Sequence, residues 1–213
     1  MPDLIIKGKN ITKQLEAHFE SGSSDRSFLF HVPAERYFDV NLELVKVLVM
    51  HHQYKGVYIT FNKPYTVIKS LLQHHGISQA NIWFIDVSAI HSRASAMEQQ
   101  QDRSQKCVHL PPTMKITDLI KATNDAIHMV PGNNKFLFLE SLTTLSFYFP
   151  DEDIVSFAKF LSGVVDDEKI EWVIMQSTPP AKNASTSSFH QKVAPHVHRV
   201  VSLVEPQKKG GQQ

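Results

Sequence analysis

The sequence predicts an α/β fold: a three-layer sandwich in which helices cover both faces of a mostly parallel central sheet. Three observations point there. The candidate strands are near-continuous apolar runs, as in NIWFIDV and KFLFLE, which suits strands buried on both faces. Helical stretches separate them along the chain, the alternation that builds parallel crossovers. A length of 213 residues, 42% of them hydrophobic, fits one domain with a sizeable core better than two. That domain is expected over residues 1–205, with a disordered polar tail over 206–213.

Each element has a local reason. Asn10 or Thr12 can cap a first helix whose apolar face is Ile11, Leu15 and Phe19. GSSDR over 22–26 breaks it, and the aromatic, branched run SFLFHV over 27–32 reads as a buried strand. Residues 40–50 are apolar at eight of eleven positions, which suits a helix enclosed on most sides. GVYITF over 56–61 is the second strand. Pro64 then opens a helix carrying Val67, Ile68, Leu71 and Leu72, at a position where its missing N–H is not needed.

Residues 81–87 form the third strand, and 115–129 a helix with the stripe Ile116, Leu119, Ile120, Thr123 and Ile127. KFLFLE over 135–140 is the fourth strand. Asp151, Glu152 and Asp153 place acid at the positive end of the next helix, stabilising it by about 0.3–1 kcal/mol each. Its inner face is Ile154, Phe157, Ala158, Leu161 and Val165. IEWVIMQ over 170–176 and the run 197–204 supply the fifth and sixth strands. The polar segments 91–106 and 179–188 read as long loops.

Composition removes several function classes. The formal charge is +1, 22 basic residues against 21 acidic, so nothing global draws the chain to nucleic acid or anionic lipid. A single cysteine, Cys107, excludes an internal disulfide and multi-cysteine metal sites. No apolar run approaches the roughly 20 residues that span a bilayer, and MPDLIIKGKN lacks the core of a signal peptide. No membrane association and a cytoplasmic location are therefore expected. The eight glycines are about half the usual ~7% share, and apart from Gly210 and Gly211 they are dispersed. Phosphate-cradling loops need clustered glycines so that backbone N–H groups can approach an anion, and neither GxGxxG nor GxxxxGK[ST] occurs.

Individual residues mostly read as structural. Adjacent histidines on a helix diverge by about 100°, so His51–His52 and His74–His75 make no chelate; they end predicted helices, where imidazolium suits the negative pole. His196 and His198 would share a strand face, but no third ligand is near in sequence. Cys107 shows neither the base nor the oxyanion site of a catalytic thiol, and Ser141 lacks the GxSxG setting of a nucleophile. Arg93, Arg103, Lys106, Lys182 and Lys192 read as solvated loop charges without the interleaved aromatics of a nucleic-acid site. Asp86 and Glu140 end strands, where open α/β sheets bind ligands; they are either a remnant site or acceptors for nearby loop amides and helix termini. Arg36 and Lys63 could bind an anion there or form a salt bridge to Glu35, Glu140 or Asp86.

The order and spacing of SFLFHVPAERYFDVNLELVKVL, GVYITFNKP, NIWFIDVSA, KITDLIKATNDAI, KFLFLESLTTL, FAKFLSGVV, EWVIMQSTP and HRVVSLVE resemble the RecA/KaiC-like P-loop ATPases over roughly residues 10–205. The most specific pieces are YITFNKP and FLFLESLTTL. The resemblance implies a RecA-like fold with the phosphate loop on residues 31–38. His31 and Arg36 then stand at the glycine positions, Tyr37 at the lysine and Phe38 at the magnesium-binding hydroxyl; only Pro33 matches. The acids expected after the second strand are Asn62 and Lys63, and Glu140 takes the place of the Walker B aspartate. Those side chains cannot grip a triphosphate, so the resemblance implies a pseudo-ATPase with no catalytic residues, metal or cofactor. What is left is a remnant pocket of Arg36, Tyr37, Asn62, Lys63, Asp86 and Glu140. The function expected is assembly with itself or with an active RecA/KaiC-like relative, in a regulatory or scaffolding role. Two alternatives stand beside it: a nucleic-acid-associated recombinase-like module, and a nucleotide- or anion-binding enzyme with a non-standard pocket.

Overall fold

The computed structural model describes residues 4–7, 12–14, 16, 25–88, 106–111, 113–167, 170–177 and 188–204. Eight strands form one sheet: β1 (Leu4–Lys7), β2 (Ser27–His31), β3 (Lys55–Thr60), β4 (Ile82–Asp86), β5 (Cys107–His109), β6 (Lys135–Glu140), β7 (Ile170–Ser177) and β8 (Arg199–Val204). Their order is β1-β8-β2-β7-β6-β3-β4-β5, and every pairing is parallel. The helices are α1 (Tyr37–Lys46), α2 (Tyr65–His74), α3 (Ile116–Met129), α4 (Leu142–Leu145), α5 (Asp151–Asp167) and α6 (Ser188–Val193). Residues 12–14 and 16 are also helical; Thr12 bonds to Glu43 within α1, and Glu16 to His51 at the end of its π-helical continuation.

The strands divide their side chains between two cores by simple alternation. Phe28, Phe30, Tyr58, Phe84, Phe136 and Phe138 face α1 and α2. Leu29, Val57, Ile59, Ile85, Leu137 and Leu139 face α3 and α5. One core is therefore aromatic at the sheet and the other aliphatic. In the first, the Tyr58 and Phe138 rings stack at 5.1 Å, with Phe84 at 5.7 Å from Tyr58. Each such buried ring or aliphatic group stabilises the fold by about 1.5–3 kcal/mol over its exposed state. Gly56 lets β3 enter this packing: a Cβ there would lie 2.2 Å from the Phe136 carbonyl oxygen.

Three differences from the sequence reading have physical causes. The sheet gains β1 and β5 beyond the six expected strands, because four- and three-residue edge strands are defined by their partners β8 and β4 rather than by periodicity. The second helix begins at Tyr37, three residues before the apolar run, and its last turn widens into a π-helix over Val47–His51. A 3₁₀ turn, Ala34–Arg36, feeds directly into it. The last strand starts at Arg199, since Val197 closes another 3₁₀ turn onto Ala194. The expected polar tail, most of the two long loops and much of the first helix lie outside the described residues.

Candidate functional site

The carboxyl ends of β3, β4 and β6 lie side by side, because register pairs Thr60 with Asp86 on one flank and with Glu140 on the other. Asp86 is 1% exposed and fully engaged. Its Oδ2 accepts the Tyr65 backbone N–H at 2.8 Å, and its Oδ1 accepts the Ser88 N–H at 2.8 Å and the Ser88 hydroxyl at 2.7 Å. His109 Nδ1 stands 3.5 Å from Oδ2. Burial pushes this carboxyl's pKa up, but His109 and the Tyr65 and Ser88 donors together outweigh it and hold the group below the usual carboxylate range. Asp86 thus joins β4 to the start of α2, whose first N–H groups have no helical partner.

Glu140, also 1% exposed, has a different neighbourhood. Tyr58 donates its hydroxyl to Oε2 at 2.5 Å, and Asn62 reaches Oε1 at 3.4 Å. Asn41, from α1, donates to the Tyr58 oxygen at 2.7 Å. Farther out, Thr144 donates to Asn62 Oδ1 and its backbone N–H is capped by Ser141 Oγ at 3.1 Å. Burial pushes the Glu140 pKa up; the Tyr58, Asn62 and Asn41 hydrogen bonds and the charge of Lys63 offset only part of that. The peptide joining Glu140 to Ser141 is cis.

The 31–38 segment completes the site. Two N–H groups at the helix entrance are already spent: that of Arg36 on Pro33 O at 3.0 Å, and that of Tyr37 on Ala34 O. Tyr37 opens α1 and projects toward Asn62 and Ser141. Burial first, then the Glu140 charge, raises its pKa well above the ordinary phenol value, so it remains a protonated donor. Its oxygen is buried without a hydrogen bond of good geometry. A cavity of about 240 Å³ opens here, lined by Ala34, Tyr37, Asn62, Ser141, Thr143 and Thr144. Lys63 holds its ammonium 5.6 Å above the centre of the Phe38 ring.

Of the six remnant-pocket residues, the structure gathers Tyr37, Asn62 and Glu140 into one neighbourhood with Lys63 beside it. Asp86 lies across Thr60, on the far flank of β3, and serves α2 instead. Arg36 is half-buried at the end of the 3₁₀ turn. Sequence reasoning missed Tyr58 and Asn41, which hide inside apolar runs; a lone polar group in each run was the available signal. The other candidates also have places. Cys107 packs half-buried against the aromatic core, Lys106 sits 4.0 Å over the Trp83 ring, and Lys192 lies 3.5 Å from Asp151. His198 Nδ1 accepts the Ser27 N–H at 3.2 Å, tying β8 to β2. Arg93, Arg103 and Lys182 lie outside the described residues. Among the described residues no group of three or more His, Cys, Asp or Glu is placed to hold a metal ion, and no helix is long and apolar enough to cross a membrane.

No family model and no curated protein matches the chain. Among solved structures it is similar to a KaiC-like protein from the hyperthermophilic archaeon Pyrococcus horikoshii, with a TM-score of 0.56 at 8% sequence identity. The match covers 88% of this chain and 74% of that one. Eight parallel strands, helices on both faces and this neighbour together show that the chain has a KaiC-like, RecA-type α/β fold.

Proposed function

We propose that this chain is a non-catalytic RecA/KaiC-like domain, a pseudo-ATPase that works by assembling with other proteins in a regulatory or scaffolding role. The observation that carries this reading is the state of Glu140. A carboxylate that helps to hold magnesium must be ionised and turned toward the ion. Here the group is buried, pushed toward its neutral form and occupied by Tyr58 and Asn62. The residues present do not fit a magnesium triphosphate. Phe38 has no oxygen for the metal, Tyr37 has no positive charge for the phosphates, and the Arg36 and Tyr37 N–H groups are bonded within the turn. With Asn62 and Lys63 after β3, no carboxylate stands there to activate water.

Assembly is the use such a surface retains. The partners proposed are a second copy or an active relative of the same fold, and the aromatic groups around the turn suit a protein contact better than a phosphate. A thermal-shift scan with ATP and GTP, each with magnesium, tests the reading. A nucleotide bound at 100 times its dissociation constant would add about 2.7 kcal/mol of stability, so the expected result is no shift. A clear shift would favour the alternative of a nucleotide-binding enzyme. Light scattering on the purified chain then separates self-assembly from dependence on another protein.

A further inference from the structure

We infer that the 240 Å³ cavity receives one carboxylate side chain, an Asp or Glu presented beside an apolar residue by a different protein chain. The inference rests on the non-catalytic assembly reading and specifies what the partner must offer.

Three features converge on it. The first is an unmatched donor. The Tyr37 hydroxyl is buried and protonated, with Ser141 and Asn62 near it but no hydrogen bond of good geometry to either, and it faces a cavity whose other lining residues include Asn62, Ser141, Thr143 and Thr144. Every one of these groups is neutral; Thr144 gives its hydroxyl proton to Asn62 Oδ1, which leaves the Tyr37 hydroxyl and the Asn62 amide, whose contact with Glu140 is a long 3.4 Å, as the donors for an incoming group. An acceptor entering the cavity would pair a hydroxyl that now destabilises the free protein.

The second is the charge count. Lys63 follows the lining residue Asn62, and its ammonium stands over Phe38, which follows the lining residue Tyr37. Among the described residues Lys63 makes no ion pair. One cation matches one carboxylate. A di- or triphosphate would bring several negative charges against that lysine.

The third is an exposed apolar group a few residues farther along the chain from the lining threonines. Beyond Thr143 and Thr144 the chain turns through Phe147, which is 82% exposed, and Tyr148, whose ring lies 6.2 Å from that of Phe61. A phenylalanine this exposed, three residues after the lining residue Thr144, offers a contact for an aliphatic neighbour of the inserted acid. Charge, donor supply and exposed ring together describe a short acidic-apolar stretch of protein.

The test is an NMR titration of the full chain at low ionic strength with N-acetyl-Leu-Asp-Leu amide. Parallel titrations use the Asn analogue of that peptide, inorganic phosphate and magnesium ATP. The Asp peptide is expected to move the Asn62 side-chain amide and the backbone amides of residues 141–144. Replacing Asp by Asn in the peptide, or Lys63→Gln in the protein, should weaken binding about fivefold, the scale of one partly exposed ion pair with a charged hydrogen bond. Tyr37→Phe, which removes a hydroxyl that makes no hydrogen bond of good geometry and should fold normally, should weaken it about threefold.

Equal affinity for the Asp and Asn peptides, a response elsewhere on the molecule, or tighter binding of phosphate at these amides would overturn the inference. So would movement of the same amides on simple dilution, which would mean that a second copy fills the cavity. Silence toward both peptides and ATP sinks this inference alone. Magnesium ATP moving these amides sinks it together with the non-catalytic reading.

Discussion

Asp86 and Glu140 are the same kind of residue in the same kind of place. Both end a parallel strand, both are 1% exposed, and both are paired in register with Thr60. Their titrations nevertheless run in opposite directions. Asp86 receives two backbone N–H groups, a hydroxyl and an imidazole, enough to outweigh burial and keep it ionised. Glu140 receives one tyrosine hydroxyl and a longer amide contact, and burial wins. Burial alone therefore does not set the charge of a strand-end acid. The number and fixity of donors around it decide.

That contrast can be broken at four points, with effects that should fall in order. Asp86→Ala leaves the buried Tyr65 N–H and the half-buried Ser88 N–H without their acceptor and should cost about 2–4 kcal/mol in denaturant unfolding. A loss under about 0.5 kcal/mol would mean that Asp86 does not hold the start of α2. Because its folded pKa is depressed, the wild-type contribution is present above the unfolded carboxyl pKa and is lost as pH falls through the lower folded value. Wild type and variant should converge in strong acid.

Tyr58→Phe removes the group joining Asn41 to Glu140 and should cost about 1–2 kcal/mol at neutral pH. Glu140 should then titrate still higher, which carboxyl-selective NMR would detect. An unchanged titration would show that the hydroxyl does not support the carboxylate.

Glu140→Gln tests the opposite sign. A raised folded pKa favours the native state below the unfolded pKa, and that advantage disappears as pH rises through the folded value. The variant, free of that titration, should gain on wild type as pH rises, by about 1 kcal/mol above neutrality, and lose the gain in acid. A variant penalty that grows with pH would place Glu140 with Asp86 as an ionised anchor. The smallest effect belongs to Tyr37→Phe, expected within about 0.5 kcal/mol of wild type or slightly more stable, since the hydroxyl is unpaired in the free protein. A large loss would reveal a partner for it.

The two strand ends also show how far a sequence can be read. Runs such as GVYITF and KFLFLE gave β3 and β6 and located Glu140 at a strand terminus, because alternation and apolar continuity are local properties of the chain. The parallel α/β class followed from the same runs. The edge strand β1 did not, since LIIK is too short to carry a period. Tyr58 read as a core aromatic, which it is, yet its hydroxyl is also what holds Glu140.

By itself the sequence determined what the entrance to α1 lacks. Clustered glycine, a lysine and a small hydroxyl are missing from HVPAERYF, and composition is decisive there because no fold can supply absent atoms. Only the tertiary structure decided what took their place. Asn41, Tyr58 with Asn62, and Glu140 come from three separate segments, and their hydrogen bonds exist only after β3 and β6 pair and α1 packs across them. Charge state follows from that assembled surrounding, which is why two acids alike in sequence setting end in different states.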